Sequence, residues 1–360
     1  MFVAWRDLRF AKGRFALMGA VVVLITLLVG LLSGLTAGLA RENVSAVTGL
    51  PATHLAFAVP PGGRKVSFTG SQVPEQAWLD WRGRRGVRSA APVGIHTTNA
   101  AAGERTAAVS VFGVEPDSGL APGRPAPGRV VLSGKAAKEL GGVREGGKVR
   151  IGPLELTVAG VSGTAAYSHT PVVWADLEDW QRIAGANTSA GTLATVIALD
   201  LESAADVSAG DEAAGTRTEA VGEALTAIGS YQAENSSLQL MRGFLFAISA
   251  LVTGAFFTVW TIQRSADVAV LKALGASTPY LLRDALGQAL VMLAAGTGLG
   301  SALAAALGAV VSGGDVPFVL DVPTVLVPAA VMTVLGAAGA ALSIRRITAV
   351  DPLTALGSAR

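Results

Sequence analysis

The chain has 360 residues, of which 51% are hydrophobic and 15% charged, against roughly 25% charged in ordinary soluble domains. With a mean hydropathy of +0.51, that composition excludes a wholly soluble globule. The formal net charge of +2 is too small to imply nucleic-acid binding, and the lack of cysteine excludes disulfides, thiolate catalysis and Cys-ligated zinc.

In chain order, residues 1–14 carry Arg6, Arg9 and Lys12 at three-residue spacing, with Trp5 and Leu8 on the other side. That pattern predicts an amphipathic helix lying at a membrane surface. Residues 15–40, 243–263, 285–312 and 322–344 contain no Asp, Glu, Lys or Arg. Each is long enough to cross about 30 Å of hydrocarbon as a helix of roughly 20 residues. The first of them is far longer than the 7–15 apolar residues of a typical signal peptide, so it is expected to be retained. Arg6, Arg9, Lys12 and Arg14 precede the first span, Arg264, Lys272 and Arg283 follow the second, and Arg345 and Arg346 follow the fourth. By the positive-inside rule both termini, the loop 264–284 and the tail 345–360 are cytoplasmic, and residues 41–242 lie outside. The fold class expected is a multi-pass helical protein of the cell membrane. It has four transmembrane helices and a large α+β extracytoplasmic domain between the first and second.

Within residues 41–242 the pattern predicts strands at His54–Val59, Lys65–Thr69, Arg105–Val114, Arg129–Leu132, Lys148–Ile151, Leu154–Val161, Pro171–Trp174 and Thr192–Leu201. Gly152-Pro153 would turn the hairpin between the fifth and sixth of these. Helices are expected at Pro74–Arg82, opened by proline, and Lys135–Leu140, closed by Gly141-Gly142. A further helix from Thr218 to Met241 would run into the second span. Pro122–Pro127 reads as a loop without a packing role.

The three histidines, His54, His96 and His169, are far apart and lack metal-ligand spacing. Ser168 and His169 would diverge on an extended chain. No G-x-x-x-x-G-K-[ST] loop exists, so the chain is not expected to hydrolyse ATP. No catalytic residue, protein-bound metal or resident cofactor is expected.

Specific phrases resemble FtsX/MacB-type ABC transporter permeases: Trp5-Arg-Asp-Leu-Arg9 before the first span, Arg264 through Ser277 after the second, and Asp351-Pro-Leu-Thr-Ala-Leu356 near the end. Val130 through Leu140 and Gly146 to Val161 are similar to the family's extracytoplasmic module. Residues 264–284 then correspond to the cytoplasmic coupling helix and turn. The resemblance implies that Asp267, Val270, Leu271, Lys272 and Leu274 touch a separate ATPase subunit, which uses ATP and Mg. It also implies two such subunits serving two copies of this chain. Independently, Gly275 suits a helix end, Thr278 an N-cap and Pro279 a first turn. An amphipathic helix resting on lipid headgroups is the other reading of the segment.

In the first span Gly30, Gly34 and Gly38 are four apart, which lets helix backbones approach closely in lipid. They are read as the homodimer seam, with packing inside one chain as the alternative. Gly296 and Gly300 repeat the motif in the third span.

Arg14-Phe-Ala-Leu, Leu35 to Leu39, and Phe244 to Arg264 are similar to haem-efflux permeases of Gram-positive bacteria. That resemblance implies haem as substrate. A haem exporter needs an apolar slot, an axial ligand and a cation for the propionates. The outer ends of spans one and two offer Arg41, Glu42, Tyr231, Glu234, Met241 and Arg242, with Met241 or Glu42 for iron and Arg242 for a propionate. Interfacial anchoring is the plainer reading of the same residues. Alternative functions are an FtsX-like transducer controlling an extracellular hydrolase, or export of a lipid, peptide or drug; a receptor without an ATPase ranks below these. The partners expected are a second copy, the ATPase and membrane lipids, with no nucleic acid.

Overall fold

The computed structural model describes residues 12–185, 189, 191–263, 270–272, 274–311 and 316–348. Two compact units emerge, residues 39–236 and the combination of 1–38 with 237–360.

Helix α1 spans Lys12–Thr48, and its last turns supply Val44 and Val47 to the core of the 39–236 unit. Strand β1 (His54–Ala58) follows, then β2 (Val73–Pro74) and helix α2 (Glu75–Arg82). Pro74 sits at the N-cap of α2, where a missing N–H costs nothing. The expected strand at Lys65–Thr69 does not form. A turn closes there, Gly70 N–H donating to the Ser67 carbonyl, and Phe68 packs edge-on to Phe57 at 5.0 Å.

The organising element is β3 (Val87–Ala102), which the sequence does not announce. Its first half pairs with β11 (Val196–Leu201), its second half with β4 (Arg105–Val114). Its tip, Ala100 and Ala101, also pairs with β6 (Lys148–Ile151). That last contact closes a ring of strands: β3, β4, β9 (Thr170–Asp176), β5 (Arg129–Leu132), β7 (Leu154–Val161), β6 and back to β3. A curl of this kind removes one edge that would otherwise be open. On the other side of β11 the sheet continues through β1 to β12 (Thr216–Ala220). The β6–β7 hairpin turns where expected, with Gly152 at φ +54° before Pro153.

Short helices cover the sheet. Helix α3 (Gly134–Glu139) is capped by the Ser133 hydroxyl accepting from Ala136 N–H, and α4 (Leu177–Ala184) by the Asp176 carboxylate accepting from Glu178 N–H. Helix α5 (Val207–Ala214) ends at Gly215 in the left-handed region. Helix α4 and helix α5 were both unanticipated. The expected strand Thr192–Leu201 breaks at Thr195 into β10 (Thr192–Ala194) and β11, because Thr195 turns aside to bond Val93 and Ile95 of β3. The loop Pro122–Pro127 does pack: Pro125 is buried, and a methyl group at Gly123 would lie 3.1 Å from Val131. Thr218 belongs to β12, so the helix expected from Thr218 instead follows a short helix α6 (Val221–Ala224) and starts at Gly229.

The membrane unit comprises most of α1 with α7 (Gly229–Gln263), α8 (Thr278–Val311) and α9 (Val322–Thr348). All four are long and apolar enough to cross a membrane. Helices α1, α7 and α8 run beyond the charge-free stretches that predicted them. Met18, Val22, Phe257, Trp260, Met292 and Leu293 form a shared core. Glycines set the spacing: methyl groups at Gly296 and Gly300 would fall 2.7 Å from Val22 and Thr26 of α1.

The same holds for the glycine stripe of α1, and it corrects the expected homodimer seam. A methyl group at Gly30 would lie 2.8 Å from Ala304, one at Gly34 2.2 Å from Phe318, and one at Gly38 2.0 Å from the Pro317 carbonyl oxygen. Val319 N–H also donates to the Gly34 carbonyl at 3.1 Å. This chain's own residues fill the groove, so Gly30, Gly34 and Gly38 serve packing within one copy.

Candidate functional site

Two places carry the residues to which the sequence points. The first is a polar knot inside the 39–236 unit. Here the tail of α1 and the first turns of α7 meet the tip of the hairpin formed by β8 (Ala166–Tyr167) and β9. Asn43 on α1 is fully buried. Its amide donates to Glu234 Oε2 at 2.9 Å, and its Oδ1 accepts from the Ser230 hydroxyl at 3.1 Å. His169 Nε2 lies 2.8 Å from the same Glu234 oxygen and 3.3 Å from the Asn43 amide. Ser168 and Ser230 hydroxyls bond at 2.9 Å. The backbone adds two more links, Ser168 N–H to the Asn43 carbonyl and His169 N–H to the Glu42 carbonyl. Glu42 itself pairs with Lys135 at 2.5 Å.

The hairpin tip has unusual chemistry for its shape. Ser168 and His169 have φ of +48° and +65°, the conformation that a two-residue hairpin normally gives to Asn-Gly. They are not extended, as the sequence suggested. Because both residues turn, both side chains reach the same knot. Sequence reasoning set aside His169, and did not single out Asn43 or Ser230, since their contacts join residues 126 and 187 positions apart.

Of the substrate candidates, Glu42 and Glu234 therefore have protein partners within the knot. Arg41 is exposed, and Tyr231 is partly buried against the aromatic core around Phe57. Met241 and Arg242 belong to the membrane unit, Met241 exposed and Arg242 half-buried. The knot bears on stability as well. Replacing Asn43 by Leu strips three side-chain bonds, to Glu234, Ser230 and His169, and leaves the Glu234 carboxylate one donor short. We expect a loss of about 2 kcal/mol and a melting temperature about 4–8 °C lower for a domain of this size. A thermal melt of the full chain checks this, and an unchanged midpoint would show the knot to be energetically idle.

The second place is the turn after α7. Val270, Leu271 and Lys272 are helical, and Gly275 at φ +94° ends the turn, its N–H donating to the Lys272 carbonyl. Ala276 N–H donates to the Leu271 carbonyl, and the Ser277 carbonyl accepts from Leu281 N–H. So Ser277, rather than Thr278, holds the cap position of α8, with Pro279 in its first turn. Leu274 is 80% exposed and Val270 53%, an apolar pair one helical turn apart. Asp267 lies outside the described residues.

Four apolar helices with an α+β domain inserted after the first, and an apolar-tipped turn after the second, give the chain the layout of a multi-pass membrane protein with one large inserted domain. The comparisons with known proteins agree. The MacB-like periplasmic core domain matches residues 17–217, and the FtsX-like permease C-terminal domain residues 240–352. The chain belongs to the FtsX/MacB-type family of ABC transporter permeases, and the unit between its first two spans is that family's extracytoplasmic domain. Among its relatives, one named for hemin transport, the permease HrtB of Staphylococcus epidermidis, is 24% identical over 99% of each chain. HrtB of Staphylococcus haemolyticus is 25% identical with the same coverage. An ABC transporter permease of Mycobacterium tuberculosis is also 25% identical over 99% of each. The solved extracellular domain of the noncanonic ABC-type transporter YknZ, at 15% identity and a TM-score of 0.36, covers 47% of this chain and 98% of its own.

Proposed function

We propose that this chain is the membrane subunit of an efflux system that exports haem, acting as a homodimer with two copies of a separate ATPase. The observation that carries the reading is the end-to-end match to permeases named for hemin transport. The absence of any phosphate-binding loop in the sequence supports an external source of ATP hydrolysis. The exposed Val270 and Leu274 pair supports a docking surface for it.

In this reading both termini and the turn after α7 are cytoplasmic. The cysteine-free sequence allows a direct check. Ser203→Cys, on an exposed stretch of the extracytoplasmic domain, is expected to react with a membrane-impermeant maleimide on intact cells. Ser358→Cys is expected to react only after permeabilisation, and the opposite pattern would invert the topology.

Within the candidate set we assign haem contact to Met241, as a thioether ligand for iron, and Arg242, as the propionate cation. Glu42 and Glu234 serve the knot instead. Purified protein mixed with haemin is expected to give a shifted Soret band that Met241→Ala weakens at least threefold in affinity; an unchanged titration would remove Met241 from the site. The test of the function itself is growth. Co-expression with the cognate ATPase should raise tolerance to haem in a sensitive host, and an unaltered haem tolerance would overturn the substrate assignment.

A further inference from the structure

The extracytoplasmic domain contains a cavity of about 250 Å³ beside β3 and α4. Phe68, Ile95, Tyr167 and Trp180 give it apolar and aromatic walls, and Thr97, Thr195 and Ser71 contribute hydroxyls. Some of that polar lining is already committed. The Ser71 hydroxyl accepts from Ala58 N–H at 2.9 Å and donates to the Thr195 carbonyl at 2.6 Å. The Thr195 hydroxyl accepts from Ile95 N–H at 2.8 Å. These bonds fix the wall.

Two other lining groups, the Tyr167 hydroxyl and the His96 ring, are not committed. Trp180 lines the cavity with its ring face, since its indole N–H is fully buried and opens onto no free space; it has no hydrogen-bond partner among the described residues. The Tyr167 hydroxyl and the His96 ring have none among the described residues either, although Tyr167 is 6% exposed and His96 is half-buried. Burial pushes the His96 imidazole below its ordinary pKa, so it is neutral at neutral pH. Buried polar groups are nearly always paired, and leaving one unpaired costs about 1–3 kcal/mol. An indole offers only a donor; a phenol and a neutral imidazole each offer one donor as well. Rings hold the donors in place: Tyr167 meets Phe68 and Phe112 edge-on at 5.8 and 5.6 Å. Gly94 makes room for the Trp180 ring, since a methyl group there would fall 2.2 Å from it.

We propose that this cavity binds an uncharged bicyclic aromatic molecule bearing carbonyl oxygens, separate from the exported substrate. The volume lies just below the range of about 300–1,000 Å³ for drug-sized pockets, which suits two fused rings and excludes a tetrapyrrole. No Lys, Arg, Asp or Glu is among the described lining residues, so an ionic ligand would be desolvated without a counter-charge. Carbonyl oxygens are the acceptors that the Tyr167 and His96 donors call for, and the aromatic walls supply the stacking faces.

The test uses the full chain in lipid nanodiscs and 1,4-naphthoquinone as the probe, followed by quenching of tryptophan emission. With no cysteine present, the quinone has no thiol to arylate. Saturable quenching is expected with a Kd on the order of 10–100 μM, in keeping with so small a ligand. Tyr167→Phe and His96→Gln, each conservative in shape, should weaken binding about three- to tenfold apiece. The anion 2-naphthoate, of similar size, should bind at least tenfold more weakly than the quinone. Quenching that never saturates, a Kd that both variants leave unchanged, or equal affinity for 2-naphthoate would each overturn the proposal. These outcomes do not depend on whether the chain exports haem.

Discussion

Replacing Leu274 by Glu is expected to abolish export while leaving the permease folded. Leu274 is 80% exposed and covers no core, so its substitution should change stability by less than about 0.5 kcal/mol. Its role in the proposed assembly is different. An apolar side chain at the end of a short helix, one turn from the exposed Val270, is the kind of anchor that fills a pocket on a partner. Truncating or charging such an anchor costs about 2 kcal/mol or more of association energy, roughly thirtyfold in affinity. With the ATPase released, haem tolerance should fall to that of cells lacking the transporter, and the ATPase should no longer co-purify. If Leu274→Glu keeps both co-purification and tolerance, the turn after α7 is not the point through which force enters. A helix merely resting on lipid headgroups would give that result.

The second large effect concerns the extracytoplasmic domain. Gly94 on β3 lies under the Trp180 indole, and a methyl group there would fall 2.2–2.4 Å from three ring atoms. Trp180 is 2% exposed and belongs to the main core. The crowding extends to the neighbouring strand, because Gly94 is paired to Gly113 of β4, which would itself meet the same side chain 2.2 Å away. Overpacking of this severity costs about 3 kcal/mol, or about 6–12 °C in melting temperature for a domain of this size. Trp180→Val alone should cost about 3–4 kcal/mol through the cavity it leaves. The double variant should lose distinctly less than the sum, since the smaller side chain vacates the space that the methyl group needs. Strict additivity in a thermal-melt cycle would show that Gly94 and Trp180 do not contend for the same volume.

The sequence displays the membrane helices openly because lipid allows no polar interruption, and the charge-free stretches mark their centres. It hides their ends. Helix α1 continues to Thr48, where residues face the extracytoplasmic core, and α7 begins at Gly229, where most residues are exposed; both extensions carry ordinary polar chemistry. In the extracytoplasmic domain the β6–β7 hairpin is legible from Gly152-Pro153, a strictly local signal. Strand β3 is not. Its Ala90, Ala91 and Ala100 to Ala102 have little strand preference of their own, and pairing along its length overrides that propensity. The turn after α7 shows in the sequence through local spacing and Gly275. The knot does not, because Glu42 and Glu234 look like span-end anchors until the fold brings Asn43, Ser168 and His169 to them. The glycine stripe of α1 was legible as a close-packing surface, but a motif cannot say whose backbone it receives. Phe318 and Pro317, which receive it, lie in a connecting segment with no pattern of its own.

The tip formed by Ser168 and His169 has one further implication. Two non-glycine residues in left-handed geometry each sit about 1 kcal/mol or more above their relaxed state. The β8–β9 pairing that flanks them and the bonds to Asn43, Ser230 and Glu234 hold them there. Were the first turns of α7 to withdraw, the tip would keep its strand pairing and its backbone bonds to α1 but lose both of its side-chain partners, Ser230 and Glu234, together.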